Sequence, residues 1–273
     1  MARENTVILY GQVCRKPRIL QKDDQYLTGK IILYTLRRSS ATKQQILRGE
    51  ARYDNIPVYS RNHTFIEKNM IGIEENDMVI VKGTLCTLEV EKTFYCQHCF
   101  QINKRDGVIV FIDPIYIKRC ERNIIDLTER DQLLMESEEI SNVVKIMGTL
   151  CREPECDINE DYNRTECNFQ IASNRNRHIL EDDPEKRTDY PWVKTYGAKA
   201  KEYYEALHTN STIYIDGAIQ VRNIRQRHLV CDHCRKEFTR PDTAVEIIPY
   251  NIEYIDDCIV PDVMDEEGGD ANG

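Results

Sequence analysis

The sequence predicts an all-β protein in which one five-stranded barrel is written twice, and three observations predict it. The chain matches itself with landmarks in the same order and at nearly the same spacing, and its apolar residues alternate with a period of two. A Cys-x-x-Cys pair also recurs once in each half, in "YCQHCF" from Tyr95 and "VCDHCR" from Val230. In the self-match, "NTVILYGQVCRKPRIL" from Asn5 lies on "NVVKIMGTLCREPECD" from Asn142, so that Gly11, Cys14 and Pro17 fall on Gly148, Cys151 and Pro154. Further on, "DMVIVKGTL" with Gly83 matches "STIYIDGAI" with Gly217, Cys96 and Cys99 match Cys231 and Cys234, and "VIVFIDPIYIKRC" matches "VEIIPYNIEYIDDC". Landmarks that keep their order and nearly their spacing mark an internal duplication.

In the first copy, "TVILYGQV", "GKIILYTL", "NIPVYS", "MVIVKGTL" and "GVIVFIDPIYI" read as strands, rich in β-branched residues and broken by Gly, Pro and Asp turns. The second copy gives "VVKIMGTL", "CNFQIAS", "PWVKTYG", "TIYIDGAI" and "AVEIIPYNIEYI". Between the third and fourth strands lies a short helical stretch, "TFIEKNMI" in copy one and "AKAKEYYEAL" in copy two; the Cys pairs fall on a hairpin between strands four and five. Five strands with a helix before the fourth, in roughly a hundred residues, is the pattern of an OB-fold barrel. An immunoglobulin-like sandwich would want more strands and no such helix. The expected organisation is two tandem OB-fold barrels, over 1–122 and 141–257, joined by a linker over 123–140 whose centre reads as a short amphipathic helix or a solvated connector. Residues 258–273 are too acidic and Gly-rich to pack and are expected to be a disordered tail.

Net charge over the 273 residues is -9, which by itself disfavours a polyanionic partner. Its distribution changes that: 1–122 carry +6, 123–140 carry -5, 141–255 carry -3 and 256–273 carry -7. The acid is concentrated in the linker and the tail. No apolar run approaches the ~20 residues needed to span a bilayer, and "MARENTVILYG" lacks a basic stretch followed by a long apolar one, so a cytoplasmic protein is expected. Eleven cysteines is an odd count in a chain that is not small, which disfavours a disulfide scaffold and favours reduced thiols, some of them binding metal.

The third strand of copy two, "DYPWVKTYG", alternates Tyr190, Trp192, Lys194 and Tyr196 with Pro191, Val193 and Thr195, which places three aromatics and a lysine on one face. The matching stretch of copy one, "YDNIPVYS", places Tyr53, Asn55, Pro57 and Tyr59 there, while Ile56, Val58 and Val193 supply the core face. Aromatics two residues apart beside basic side chains form a platform on which unpaired bases stack, at roughly 1–3 kcal/mol per base with little sequence preference. Basic residues sit around it. Arg37 and Arg38 in "LRRSS" and Arg175 and Arg177 in "SNRNRH" follow the second strand of each copy, and Arg222, Arg225 and Arg227 lie on or after the fourth strand of copy two. They are candidate phosphate contacts.

Copy two resembles the OB domain of the bacterial single-stranded DNA-binding protein (SSB) family. "NVVKIMGTLCREPE" is similar to that family's first strand and turn, "DYPWVKTYGAKAKEYY" to its aromatic third strand running through Gly into a helix, and "STIYIDGAIQVR" to its fourth strand. The resemblance places Tyr190 and Tyr196 at DNA-stacking positions and Trp192 where the family uses a basic contact; Tyr53 and Tyr59 take the corresponding places in copy one. It implies single-stranded DNA as partner, replication or recombination proteins as further ones, and a homodimer of two-barrel chains where the family makes tetramers of single barrels. The acidic tail lacks the hydrophobic tip ending in Pro-Phe by which that family recruits enzymes, and is expected to compete with DNA for the basic grooves.

Two cysteines leave tetrahedral zinc short of ligands, since structural sites almost always have four. The two hairpins are therefore expected to meet, with Cys96, Cys99, Cys231 and Cys234 binding one structural Zn2+. His228 as a local ligand in copy two, zinc shared between chains, and a redox dithiol remain alternatives. Cys14, Cys151, Cys120 and Cys258, which also recur, read as buried structural thiols. No Gly-rich phosphate loop or nucleophile elbow is present, and the expectation is a binding protein and not an enzyme. A protein-interaction adaptor on the same scaffold, or an RNA binder, are the alternatives.

Overall fold

The computed structural model describes residues 4–22, 25–38, 51–159, 164–175 and 187–259. Arg177 and residues 260–273 of the acidic tail lie outside these, as do the side chains of Arg227 and His228.

The first barrel is built from β1 (Asn5–Val13), β2 (Arg18–Lys22), β3 (Gln25–Arg37), β4 (Arg52–Ser60), β5 (Met78–Tyr95) and β6 (Ile102–Glu121). β1 pairs antiparallel with both β3 and β5, β3 with β4, β5 with β6, and β4 touches β6 in parallel at Val58 and Ile112, which closes the barrel. The second barrel repeats this with β7 (Asn142–Leu150), β8 (Glu155–Asn159), β9 (Arg164–Asn174), β10 (Thr188–Asp189), β11 (Trp192–Tyr196), β12 (Thr212–Val230) and β13 (Glu237–Asp256), closed by the parallel pairing of β11 with β13. All ten strands expected from the sequence are present. The short strands β2, β8 and β10 were not expected; β2, "RILQK", is largely exposed and lacks the apolar alternation that marks a core strand.

Alternation decides which side chains fill the barrels. On β4, Ile56 and Val58 point inward and are fully buried while Tyr53, Asn55, Pro57 and Tyr59 point outward. Gly83 and Gly217 occupy matching bulges where the long hairpin strands bend, and there a Cβ would run into the Asp113 or the Ile248 carbonyl. The helix before strand β5 is α1 (His63–Phe65), which continues as a π turn (Ile66–Met70); Asn62 caps it, its Oδ1 accepting the Phe65 N–H at 2.8 Å. Residues 123–140 are largely exposed but helical at their centre. Asp126 caps α2 (Leu127–Glu136), α3 (Glu138–Ser141) follows, and Leu134 packs fully buried against Tyr10, Leu36 and Met78 of the first barrel. In the second barrel, α4 (Ala198–Ala206) follows Gly197, whose φ of 66° combined with ψ of -145° suits only a residue without Cβ.

The barrels join edge to edge. β1 pairs antiparallel with β7, and Val7 faces Val144, its own counterpart in the self-match. A pseudo-twofold axis therefore passes between these two valines. Asn5 and Asn142, also counterparts, make the same clamp on either side of it. The Asn5 amide donates to the Leu85 carbonyl and accepts the Leu85 N–H, both at 2.9 Å, and Asn142 does the same with Ile219 at 2.8 Å. Because both amides are buried, Asn142→Ala leaves a buried N–H and C=O without partners. It is expected to cost about 2–4 kcal/mol, read as a lower denaturant midpoint at unchanged slope. An unchanged midpoint would remove the clamp from the account of stability.

Candidate nucleic-acid interface and metal centre

On β11 Val193 and Thr195 are buried, Trp192 is half-buried and Tyr196 is 38 % exposed, and Tyr190, just before the strand, is 45 % exposed. Lys194 departs from the expected alternation. It is buried beneath the Tyr196 ring, 5.5 Å from its centroid, and paired with Glu166, which leaves it holding the ring in place. Trp192 lies under the Arg152 guanidinium at 5.1 Å.

The first barrel carries its tyrosines differently. Tyr59 packs edge-on against Phe111 at 5.2 Å, and the exposed Asn55 accepts a hydrogen bond from the Cys14 thiol at 3.1 Å. Tyr53 stacks on Tyr34 at 4.7 Å with the planes 15° apart, and Arg130 of α2 lies over Tyr34 at 4.2 Å. Burial pushes the Tyr34 hydroxyl up to about 12 and raises Tyr53 as well, so both rings stay neutral. Neither Tyr34 nor Arg130 was singled out in the sequence, since neither lies on a third strand.

The arginines divide into two groups. Arg37, 8 % exposed, pairs with Asp54 at 2.9 Å and donates to Gln220 of the second barrel at 2.7 Å, and Asp54 accepts the Val221 N–H at 2.7 Å. Arg175, 5 % exposed, pairs with Asp189, which accepts the Thr87 N–H of the first barrel at 2.6 Å. Each barrel thus holds the other's hairpin strand through a buried Arg–Asp pair, and the recurrence of these arginines in the sequence reflects that tie. Arg38 bonds Glu139 of α3 at 3.0 Å and covers Tyr250. Arg222 makes a two-pronged pair with Glu246 at 2.7 and 2.8 Å, and Arg225 is exposed. A basic patch that the sequence reading passed over, although "CRKPR" displays it, gathers Arg15, Lys16, Arg18 and Lys30 on the first barrel. Burial, then Arg15 and Arg18, lower the pKa of Lys30. The corresponding turn of the second barrel reads "CREPE" and is acidic.

At the far end, the hairpins β5–β6 and β12–β13 meet at their tips. The Sγ atoms of Cys96, Cys99, Cys231 and Cys234 lie within 4.8 Å of one another, with Cys96 3.8 Å from Cys234 and Cys99 3.6 Å from Cys231. Four sulfurs about 2.3 Å from a tetrahedral zinc stand roughly 3.8 Å apart, so the set is compatible with that ion. Each half is the same knuckle. The His98 N–H points at Cys96 Sγ (3.3 Å) and the His233 N–H at Cys231 Sγ (3.4 Å), and the turns close through Phe100 and Arg235, both at φ 58°. Outside them, His98 meets the Glu237 carbonyl at 3.0 Å, His233 the Ile102 carbonyl at 3.1 Å, and Arg105 grips Asp232 with two bonds of 2.6 Å. Burial raises the Cys231 thiol, but the N–H groups of Cys234 and His233 and the Asn103 amide outweigh it and lower it to about 6. Of the other recurring thiols, Cys120 and Cys151 are exposed and Cys14 and Cys258 half-buried, a correction to the buried reading. Cys151 falls in the turn after β7 and Cys120 near the solvated end of β6.

The site is thus a partly exposed aromatic strand on the second of two OB-fold barrels. Residues 141–237, which lie in the second barrel, match the model of the single-strand binding protein family. The fold is similar to the single-stranded DNA binding protein from Thermus aquaticus. A deletion mutant of that protein superposes with a TM-score of 0.58 at 16 % identity, covering 96 % of this chain and 100 % of that one. The wild type gives 0.56 at 14 %, covering 95 % and 97 %. Identity this low speaks for the fold alone. Comparison with curated proteins gives no match.

Proposed function

We propose that this chain binds single-stranded DNA without sequence preference, stacking bases on its outward tyrosines and neutralising phosphates with arginine and lysine, and so protects the strand during replication, recombination or transfer. The observation that carries this is the open strand β11 and the residue pair that leads into it, where Tyr196 and Tyr190 stay exposed on either side of Trp192 in the barrel that matches the family model. The binding units are the barrels over 1–122 and 141–257, with the connector over 123–140 docked on the first and an acidic tail from 258. Two such chains would bring together four barrels. One structural Zn2+ is held by the four cysteines within a single chain, fixing the hairpins and hence the angle between barrels. No helix among the described residues is long and apolar enough to cross a membrane, and the site of action proposed is the cytoplasm.

Trp192, the only tryptophan, reports on this face. Titration with oligo-dT is expected to quench its fluorescence strongly at low salt, with an affinity that falls as salt rises. Unchanged fluorescence together with no complex in a mobility assay would turn the reading to a protein-interaction adaptor, and preferential displacement by oligo-U would turn it to RNA.

A further inference from the structure

We infer that a bound strand passes from one barrel to the other on one side only, through the groove between β4 and β12, with one nucleotide held where the barrels meet; this rests on the nucleic-acid reading above. The groove, of about 500 Å³, is lined by Arg52 and Tyr53 from the first barrel and by Tyr196, Gln220 and Arg222 from the second. That is the size class of a small-ligand site. Both walls are built in advance. On one side Tyr53 terminates the column that runs from Arg130 through Tyr34. On the other, Gln220 donates to the Tyr196 hydroxyl at 3.3 Å while it accepts Arg37 at 2.7 Å, and the Asp54 contact with the Val221 N–H pins the floor.

Such a groove selects a flat ring that carries an anionic group. The two tyrosines offer a face to the base, and the exposed Arg52 a cation to the phosphate; Arg222 stays beside them, its side chain 37 % exposed despite its pairing with Glu246. The other side of the pseudo-twofold axis keeps only part of this set: Arg187 answers Arg52, but Thr188 stands where Tyr53 does. Asp189 accepting the Thr87 N–H is the counterpart of Asp54 accepting the Val221 N–H, which makes Cys86 and Leu88 the counterparts of Gln220 and Arg222. Cys86 is fully buried and Leu88 carries neither charge nor ring. The mirror side has therefore kept one cation and lost the ring of Tyr53, the amide of Gln220 and the second arginine.

The test compares Arg52→Glu with Leu88→Glu in the full chain, using labelled dT oligonucleotides of about 6 and about 30 nucleotides, against roughly 4–16 nucleotides per OB-fold site. Arg52→Glu is expected to weaken the long oligonucleotide about tenfold and leave the short one, which the open second barrel holds by itself, unchanged. Leu88→Glu is expected to change neither. The crossing is overturned if Arg52→Glu spares the long oligonucleotide, if it weakens both equally, or if Leu88→Glu does the same damage. Saturable binding of thymidine monophosphate that Arg52→Glu abolishes would assign the groove to a free nucleotide instead. Wild-type protein that binds neither oligonucleotide would remove the nucleic-acid reading itself, and the crossing with it.

Discussion

Cys231→Ser is expected to reduce a chain carrying one zinc to a chain carrying none, and to lower its melting temperature by about 10 °C or more. The magnitude follows from what an ion held by the four cysteines would join. The tips of two long hairpins are held by four sulfurs over a small apolar base of Phe94 and Phe238, and the surrounding polar contacts, Arg105 with Asp232 foremost, are exposed and individually weak. With one ligand gone the remaining three cannot close a tetrahedral site, and the hairpins lose the restraint that sets their mutual position. Cys120→Ser, at an exposed thiol, serves as the control and is expected to keep both zinc and melting temperature. Zinc released to a coloured chelator, measured beside a calorimetric melt, reads both quantities. Full metal content in Cys231→Ser, or an unmoved melt after metal loss, would remove the clamp.

Tyr190→Ala combined with Tyr196→Ala is expected to weaken binding of single-stranded DNA by more than about tenfold while leaving the salt dependence of the affinity unchanged. Both rings are partly exposed and neither belongs to the buried core, so a melt of the double variant beside the binding assay separates lost stacking from lost fold. The slope against salt counts neutralised phosphates, which tyrosines do not contact through charge. A changed slope at constant affinity would mean that the rings act indirectly, by positioning arginines. The corresponding change in the first barrel, Tyr53→Ala, is less clean, because it also opens the stack beneath Arg130.

Repetition made much of the fold legible. Two copies of one pattern let the strands of each confirm those of the other, and Gly83 and Gly217 mark the same bend in both. The cysteines were legible for a chemical reason: half a zinc site in each copy demands that the halves meet. The roles of Arg37 and Arg175 were not, because a recurring arginine beside an aromatic strand reads alike whether its partner is a phosphate or a buried aspartate. Only burial separates the two, and burial at an interface between barrels is a property of neither barrel's own pattern. The docking of α2 was hidden similarly. Its charge suggested solvent, while three apolar residues in a row, Leu133, Leu134 and Met135, carry its packing.

The pairing of β1 with β7 has a consequence for direction. A nucleic-acid strand runs from 5′ to 3′, and two identical barrels about a true dyad present the same surface whichever way it is laid down. Here the two halves share the axis through Val7 and Val144 and little of their surface: Arg15, Lys16 and Arg18 on one side answer Arg152, Glu153 and Glu155 on the other, and Phe100 answers Arg235. Covalent linkage lets each half change without its twin. The molecule has a front and a back, and a strand laid on it has a beginning and an end.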